Sequence, residues 1–352
     1  MSFRSKRRGL HAAFTACAVT VGVLAGTAES ASAFVPCPSG GNRAGSISEW
    51  TTTWPPNERT DPKGVTMCLG EEGIWGTDKG WLQMVDLGDG ARIRLPTQVD
   101  PSSRYGLWNY GLLGEPYTLY TKRTAEDWYA WLRNYDPENP AYEFSYEFPP
   151  STRLFSVTTA SFFKDDNNER PTRLPFPFLF FEHHDSFGMS SVLRDEDYAA
   201  EKKSLEIGSP TSYGEEEAEI NQTVRLEGFP ARYTSSDVVT KLQYEGRTIG
   251  DPEEWGIIDG LVSFAPWYRV GESNRRNYLG VYGDTVYIFT SDALYTNEQA
   301  YEIMREIQPG MDVIQLDGGG SAQLYSEYGE MDSSIPIFNR EVPNVLAIYR
   351  AP

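Results

Sequence analysis

Met311-Asp-Val-Ile-Gln-Leu316, followed at once by Asp317-Gly-Gly-Gly-Ser321, is the stretch on which the reading of this chain turns. Its first half is short, apolar and β-branched, which predicts a buried strand. Three consecutive glycines cannot extend that strand without giving up side-chain packing and backbone entropy, so the strand must stop at a loop. Lacking Cβ atoms, Gly318, Gly319 and Gly320 let the backbone take positive φ and bring a ligand close to the N–H groups. Asp317 and Ser321 frame the turn with a carboxylate and a hydroxyl.

Working upstream, Thr296-Asn-Glu-Gln299 is a capping box, and Ala300, Ile303, Met304 and Ile307 recur at helical spacing. They predict a helix ended by Pro309-Gly310. Leu279 to Thr290 reads as two strands turned at Gly283-Asp284, and Gly256 to Pro266 as another. The order hairpin, helix, strand, loop therefore puts Asp317 at a strand end, where open sheets by analogy hold ligands.

Farther out, Leu82, Met84, Asp86 and Ala91, Ile93, Leu95 flank Gly88-Asp89-Gly90 as a second predicted hairpin. Thr124 caps a short helix carrying Trp128, Trp131 and Leu132. Leu154 to Phe163 reads as a strand. Residues 34–79, rich in Gly, Pro, Ser and Thr, read as a loop-like lead-in, and the acidic segment Arg194 to Glu219 as a solvated insertion. The expected fold class is α+β, with a mixed, mostly antiparallel sheet, a few packed helices and a single main domain over 80–352.

The first 33 residues read as a signal peptide. Arg4, Lys6, Arg7 and Arg8 form a basic start, an apolar run follows, and Ala31-Ser32-Ala33 supplies the cleavage site. No stretch offers the roughly 20 apolar residues of a membrane span. The expectation is a secreted protein. A net charge of −19, which loss of the basic segment makes more negative, excludes nucleic acid as a bulk partner but leaves room for one local basic pocket. Beyond the signal, Cys37 and Cys68 are the two thiols of an exported chain, so a disulfide between them is expected.

His183-His184, between Glu182 and Asp185, cannot share one strand or helix face, and no Cys stands near, so no metal site is expected there. No cofactor is expected; a structural calcium stays open because the chain is rich in carboxylates. Around the glycine loop stand Arg275-Arg276 and Arg340-Glu-Val-Pro-Asn344. Loop N–H groups together with guanidinium forks make a phosphate-sized anion site. The stretch is neither a Walker A loop nor a dinucleotide fingerprint, and Ser321 has no nucleophile elbow.

Gln315-Leu-Asp-Gly-Gly-Gly-Ser-Ala322 resembles the N-L-D-G-G-G-S-S signature of the phosphodiester glycosidase family. Arg276-Asn-Tyr-Leu-Gly-Val281 is similar to that family's R-T-A-I-G-V, and Arg340-Glu-Val-Pro-Asn344 to its closing R-x-V-P-N. The likeness is close from about Arg275 to Tyr349 and looser from Trp81 to Pro266. Two departures stand out: Thr159-Ala160-Ser161 replaces an Asn-Gly-Gly before Phe162-Phe163, and Ser263 to Trp267 replaces a glycine-rich run.

The resemblance implies a hydrolase acting on sugar 1-phosphodiesters in extracellular or cell-wall glycans, with a phosphorylated glycan as its partner. In such a substrate the leaving group is a phosphate monoester, so cationic groups matter more than a strong general acid, and a carboxylate must stabilise the oxocarbenium-like sugar. On this reading Asp317 is the first carboxylate, followed by Asp292, Glu182 and Asp165. Arg276, Arg340, Asn344 and the N–H groups of Gly318, Gly319, Gly320 and Ser321 hold substrate and phosphate. Each assignment has a plain structural rival: Asp317 bonding its own loop, the arginines pairing other groups, Asn344 capping a turn. A non-catalytic binding module and a divergent glycoside hydrolase remain the alternatives, while a metal-dependent phosphodiesterase lacks a ligand cluster. Stereochemical outcome and oligomeric state stay open.

Overall fold

The structure, a computed structural model, describes residues 36–38, 47, 49–55, 63–72, 77–98, 120–135, 149–160, 162–163, 180–181, 202–208, 216–222, 243–244, 247–248, 257–268, 271–330 and 340–352. In chain order the first strands are β1 (Glu49–Trp54), β2 (Val65–Glu72), β3 (Thr77–Asp86), β4 (Arg92–Arg94), β5 (Leu154–Thr159) and β6 (Phe180–Phe181). Next come β7 (Lys202–Gly208), β8 (Glu217–Gln222), β9 (Gln243–Tyr244), β10 (Arg247–Thr248) and β11 (Ile257–Phe264). The last are β12 (Asn277–Tyr282), β13 (Thr285–Ser291), β14 (Asp312–Gln315), β15 (Leu324–Ser326), β16 (Gly329–Glu330) and β17 (Val345–Tyr349). The helices among the described residues are α1 (Ala125–Arg133) and α2 (Asn297–Ile307).

Ten strands form a large sheet in the order β1-β2-β3-β13-β12-β14-β11-β7-β8, with β6 also on β11. Five form a smaller sheet, β16-β15-β5-β17-β4, and β9 pairs with β10. Pairing among the described residues is antiparallel throughout. The fold is thus α+β, one main domain of antiparallel sheet with few helices.

Period-2 alternation sorts side chains between layers. Leu279, Val281, Val286, Ile288 and Ile314 of the large sheet meet Phe155, Leu324, Leu346 and Ile348 of the small sheet in the central core. Tyr278, Tyr287, Phe289 and Val313 face the other way and pack beneath Ala300, Ile303 and Met304 of α2. On the outer face of the small sheet, Leu154, Val157, Val345, Ala347 and Tyr349 pack against Ala125, Trp128, Tyr129 and Leu132 of α1. The layers run helix, sheet, sheet, helix. A strand covered on both faces carries apolar residues at every position rather than alternately, and Val345–Tyr349 is buried throughout. No helix among the described residues is long and apolar enough to cross a membrane.

Local signals placed both helices. Thr296 Oγ1 accepts from the Gln299 N–H at 3.2 Å while the Thr296 N–H donates to Gln299 Oε1 at 2.9 Å. Thr124 Oγ1 accepts from the Asp127 N–H at 3.1 Å. Three expectations need correction. The 82–95 stretch is not a hairpin: β3 pairs with β2 and β13 of the large sheet, whereas β4 pairs with β17 of the small one. Its turn, held by the Gly90 N–H to Leu87 O (3.0 Å), carries the chain between sheets. The 34–79 lead-in contributes β1 and β2, and the acidic segment contributes β7 and the start of β8.

Cys37 and Cys68 are joined, which ties the lead-in to β2 across a separation of 31 residues. Closing a loop of that length stabilises the folded chain by about 3–4 kcal/mol in the chain-entropy model. The double Cys37→Ser/Cys68→Ser variant should lose that amount in a non-reducing urea titration, and an unchanged midpoint would refute it.

At the opposite edges of the two sheets, Glu216 enters β8 and reaches across to β4. Its carboxylate accepts from Arg94 Nη1 at 2.8 Å and Nη2 at 2.5 Å, and lies 3.1 Å from Arg92 Nε. Glu216 and Arg94 are both buried. One carboxylate therefore staples the terminal strand of the large sheet to that of the small one.

Candidate active site at the glycine loop

The glycine loop lies where strand ends from both sheets converge. Gln315, the last residue of β14, pairs with Tyr278 of β12 and Phe264 of β11. In the small sheet the end of β5 pairs with the starts of β15 and β17, as Thr158 with Leu324 and Thr159 with Val345. The loop bridges the two ends: the Leu316 N–H donates to Asn277 O at 2.8 Å and the Asp317 N–H to Ala160 O at 3.0 Å.

Beneath the loop the apolar core gives way to a buried polar belt. Asn277 shares the inward row of β12 with Leu279 and Val281. Its amide donates to Thr159 O at 2.5 Å and accepts from Thr290 Oγ1 at 3.1 Å. Thr158 Oγ1 lies 3.2 Å from Thr290 Oγ1 and donates to Gln323 O at 2.8 Å. The Thr159 hydroxyl donates to Ser321 O. Gln323 in turn accepts from the Ala125 N–H at 2.9 Å, capping α1, and donates to Arg340 O. Buried polar groups linked in this way rigidify what they support. Thr159 and Ala160, which depart from the family pattern, are fully buried parts of this support.

The loop itself is tightly docked. Gly319 is its one residue at positive φ, 62°, and its N–H donates to Arg275 O at 2.8 Å. The Gly318 N–H turns back to Asp317 Oδ1 at 3.0 Å, and the Ser321 N–H bonds Gly318 O at 3.1 Å. Gly320 O accepts from the Arg340 N–H at 3.2 Å. Three of the N–H groups expected to face an anion are therefore spent inside the protein. Ser321 is buried, and its hydroxyl has no hydrogen-bond partner among the described residues. Asp317 is half-buried at the loop's leading edge.

Gly318 is required for steric reasons rather than conformational ones. A Cβ there would stand 2.7 Å from Arg275 O, a main-chain atom that cannot swing away. Gly318→Ala should therefore cost about 1–3 kcal/mol, as overpacking does. Chemical denaturation measures it; a loss below a few tenths would show that the loop yields.

Arg276 is 5% exposed, and its guanidinium donates through Nε to Tyr295 O at 2.8 Å and through Nη2 to Glu272 O. Its N–H and carbonyl bond Ser291. Burial holds its pKa below the usual arginine value, against the pull of Tyr278, Glu272 and Glu298. The expected phosphate fork thus meets a side chain that straps the segment before β12 to the segment before α2. Asp292, half-exposed, pairs with Arg275, whose Nε also donates to Asp292 O at 3.3 Å. Asp292 is thus linked to the loop through Arg275, whose carbonyl accepts from the Gly319 N–H. Arg340 is drawn to the loop by its backbone. Asn344 is buried and bridges Thr97 at the entry to β17. Glu182, Asp165 and Ser161 lie outside the described residues, as do His183 and His184.

The geometry brings together Asp317, the three glycines, Ser321, Arg275 and the Arg340 backbone. The polar belt went unread, although Asn277 and Thr290 stand in rows otherwise filled by Leu279, Val281, Val286 and Ile288. Polar residues at inward positions of a buried strand were the available signal. Among the described residues no group of three or more His, Cys, Asp or Glu is placed to hold a metal ion. What the arrangement offers chemically is a half-buried carboxylate whose backbone is fixed on both sides, the condition for an oriented nucleophile, base or charge stabiliser.

No protein-family model matches the chain, and no curated protein matches it. Among solved structures the chain is similar to the zebrafish N-acetylglucosamine-1-phosphodiester alpha-N-acetylglucosaminidase catalytic domain auto-inhibited by its pro-peptide, with 12% identity, a TM-score of 0.43, and coverage of 81% of this chain and 83% of that one. It is also similar to a hypothetical protein from Synechocystis, with 12% identity, a TM-score of 0.41, and coverage of 86% of this chain and 64% of that one.

Proposed function

We propose that the protein is a secreted hydrolase that cleaves the glycosidic C–O bond of sugar 1-phosphodiesters in extracellular or cell-wall glycans. The observation that carries this reading is Asp317: a carboxylate at a strand end, anchored through its N–H to Ala160 and through its loop to Arg275, within a stretch that resembles the phosphodiester glycosidase signature. In the proposed reaction the bond between C1 and the phosphate oxygen breaks, and its electron pair leaves with the phosphate monoester. Asp317 stabilises the positive charge that develops on the sugar, either by bonding C1 or by taking a proton from the attacking water. A phosphate monoester is a good leaving group, so catalysis needs little proton donation and mainly electrostatic support. The Cys37–Cys68 disulfide suits an oxidising, extracellular setting.

The test is incubation with an N-acetylglucosamine-1-phosphodiester in ¹⁸O-labelled water. Label in the released sugar supports the glycosidase route, and label in phosphate overturns it. A second reading, a non-catalytic module that binds phosphorylated glycans, draws on the internal use of the loop N–H groups and on Thr159-Ala160. Binding of the diester without sugar release would favour it over hydrolysis.

A further inference from the structure

With Arg276 bonded to main-chain carbonyls and Arg275 paired with Asp292, two of the basic side chains beside the loop are committed elsewhere, and a further cation that could face a phosphate stands on a neighbouring strand. Lys203 on β7 stands out. It lies in the inward row with Leu205 and Ile207, positions that the pattern reserves for apolar side chains, and it is 7% exposed. Among the described residues its ammonium has neither a carboxylate nor a hydrogen-bond acceptor in reach; its contact is the ring of Trp267, 5.8 Å from Nζ to the centroid. A mostly buried lysine whose charge meets, among the described residues, only an aromatic face is a candidate for meeting an anion.

The position of Lys203 fits that purpose. It pairs with Ser263 of β11, whose hydroxyl donates to Gln315 O, and the neighbouring Phe264 pairs with Gln315 itself. Lys203 is therefore two strands from β14, about 10 Å at the usual strand spacing, and at the same end of the sheet as Asp317. Trp267 closes the turn after β11 and is 44% exposed, rare for a tryptophan, with Tyr301 edge-on at 6.4 Å. Behind it Phe264 stacks on Tyr268 at 3.5 Å and meets Phe162 at 5.0 Å, so the exposed ring stands beside a fixed aromatic cluster. An indole face attracts both a cation and the polarised C–H bonds of a sugar ring. The residues Ser263 to Trp267 occupy the place where the resembling family carries glycines, so this wall belongs to this chain's own sequence.

We infer that Lys203 and Trp267 form a phosphate-and-sugar subsite: the ammonium holds the phosphate of the substrate and the indole receives the sugar on its far side. This rests on the hydrolase reading for its substrate, but it is separable from it by experiment. Calorimetric titrations would use inorganic phosphate, an N-acetylglucosamine-1-phosphodiester and free N-acetylglucosamine, on the full chain and on Lys203→Met, Lys203→Arg and Trp267→Ala. Loss of a charged hydrogen-bond donor predicts that Lys203→Met weakens phosphate and diester by about tenfold to a hundredfold. Free sugar should be unaffected, and Lys203→Arg should restore most of the phosphate affinity. Trp267→Ala should weaken the diester but not inorganic phosphate. Near-ultraviolet circular dichroism checks that each variant keeps the parent fold. Phosphate binding equal in Lys203→Met and the parent, or absent from the parent, overturns the subsite. Lys203-dependent phosphate binding without any sugar release would instead overturn the hydrolase and leave the subsite standing.

Discussion

The Asp317→Asn variant is expected to release sugar from a 1-phosphodiester about 10²- to 10⁴-fold more slowly than the parent, the usual worth of a positioned acid–base group. The substitution is close to isosteric, and the amide oxygen can still accept from the Gly318 N–H, now 3.0 Å from Asp317 Oδ1. The backbone anchor to Ala160 does not involve the side chain at all. Folding should therefore survive and the loss should fall on kcat, with KM little changed, because the charge that is removed matters most when the sugar becomes cationic. A variant that turns over within threefold of the parent would remove Asp317 from the chemistry, leaving it as a group that shapes its own loop.

Glu216→Gln should destabilise the fold by about 3–5 kcal/mol, the range for breaking a buried ion pair by removing one partner. The reason is local charge. Arg92 and Arg94 both contact the Glu216 carboxylate, and Arg153 stands near enough that its pKa is lowered, by burial first and then by repulsion from those two arginines, with Glu216 working the other way. A neutral amide would remove the negative charge from a partly buried site that Arg92, Arg94 and Arg153 share. Arg94→Met combined with Glu216→Leu should cost less than Glu216→Gln alone, since the more buried Arg94 charge leaves together with its partner while Arg92, 20% exposed, keeps its bonds to Leu87 O and Ala91 O. Denaturant titrations of the single and double variants provide the measurement; a cost under 1 kcal/mol for Glu216→Gln would show that water already screens the staple.

The legible parts of this chain were those whose cause is local. Thr296 to Gln299 satisfies the first turn of α2 with its own side chains, and the helical spacing of Ala300, Ile303 and Met304 names the face that packs. The strand before Asp317 was equally plain, being short, apolar and stopped by glycine. What failed depended on distant partners. A turn at Gly88 to Gly90 looks the same whether its arms pair with each other or go to separate sheets, and here β13 and β17 capture them. The charged residues of β7, Lys202, Lys203 and Glu206, suggested a solvated segment because nothing in the sequence shows that β11 lies alongside. At the candidate site, Asp317 and the glycines are legible in the sequence from their residue types alone. The role of Arg276 was not, because a guanidinium carries no mark of whether it will meet a phosphate or a carbonyl.

The polar belt under the loop has a consequence for how the site comes into being. Asn277 reaches Thr159 across 118 residues of sequence, and Thr159 reaches Ser321 across 162. Neither contact can form until a very long stretch of chain has closed, and such closure is slow and entropically unfavourable before the sheets are paired. The geometry of the candidate site is thus a late product of folding, inherited from completed β5, β12 and β14 rather than from any fragment. During refolding, secondary structure should return before ligand binding does. Cutting the chain between β5 and β12 should leave neither half with a working loop.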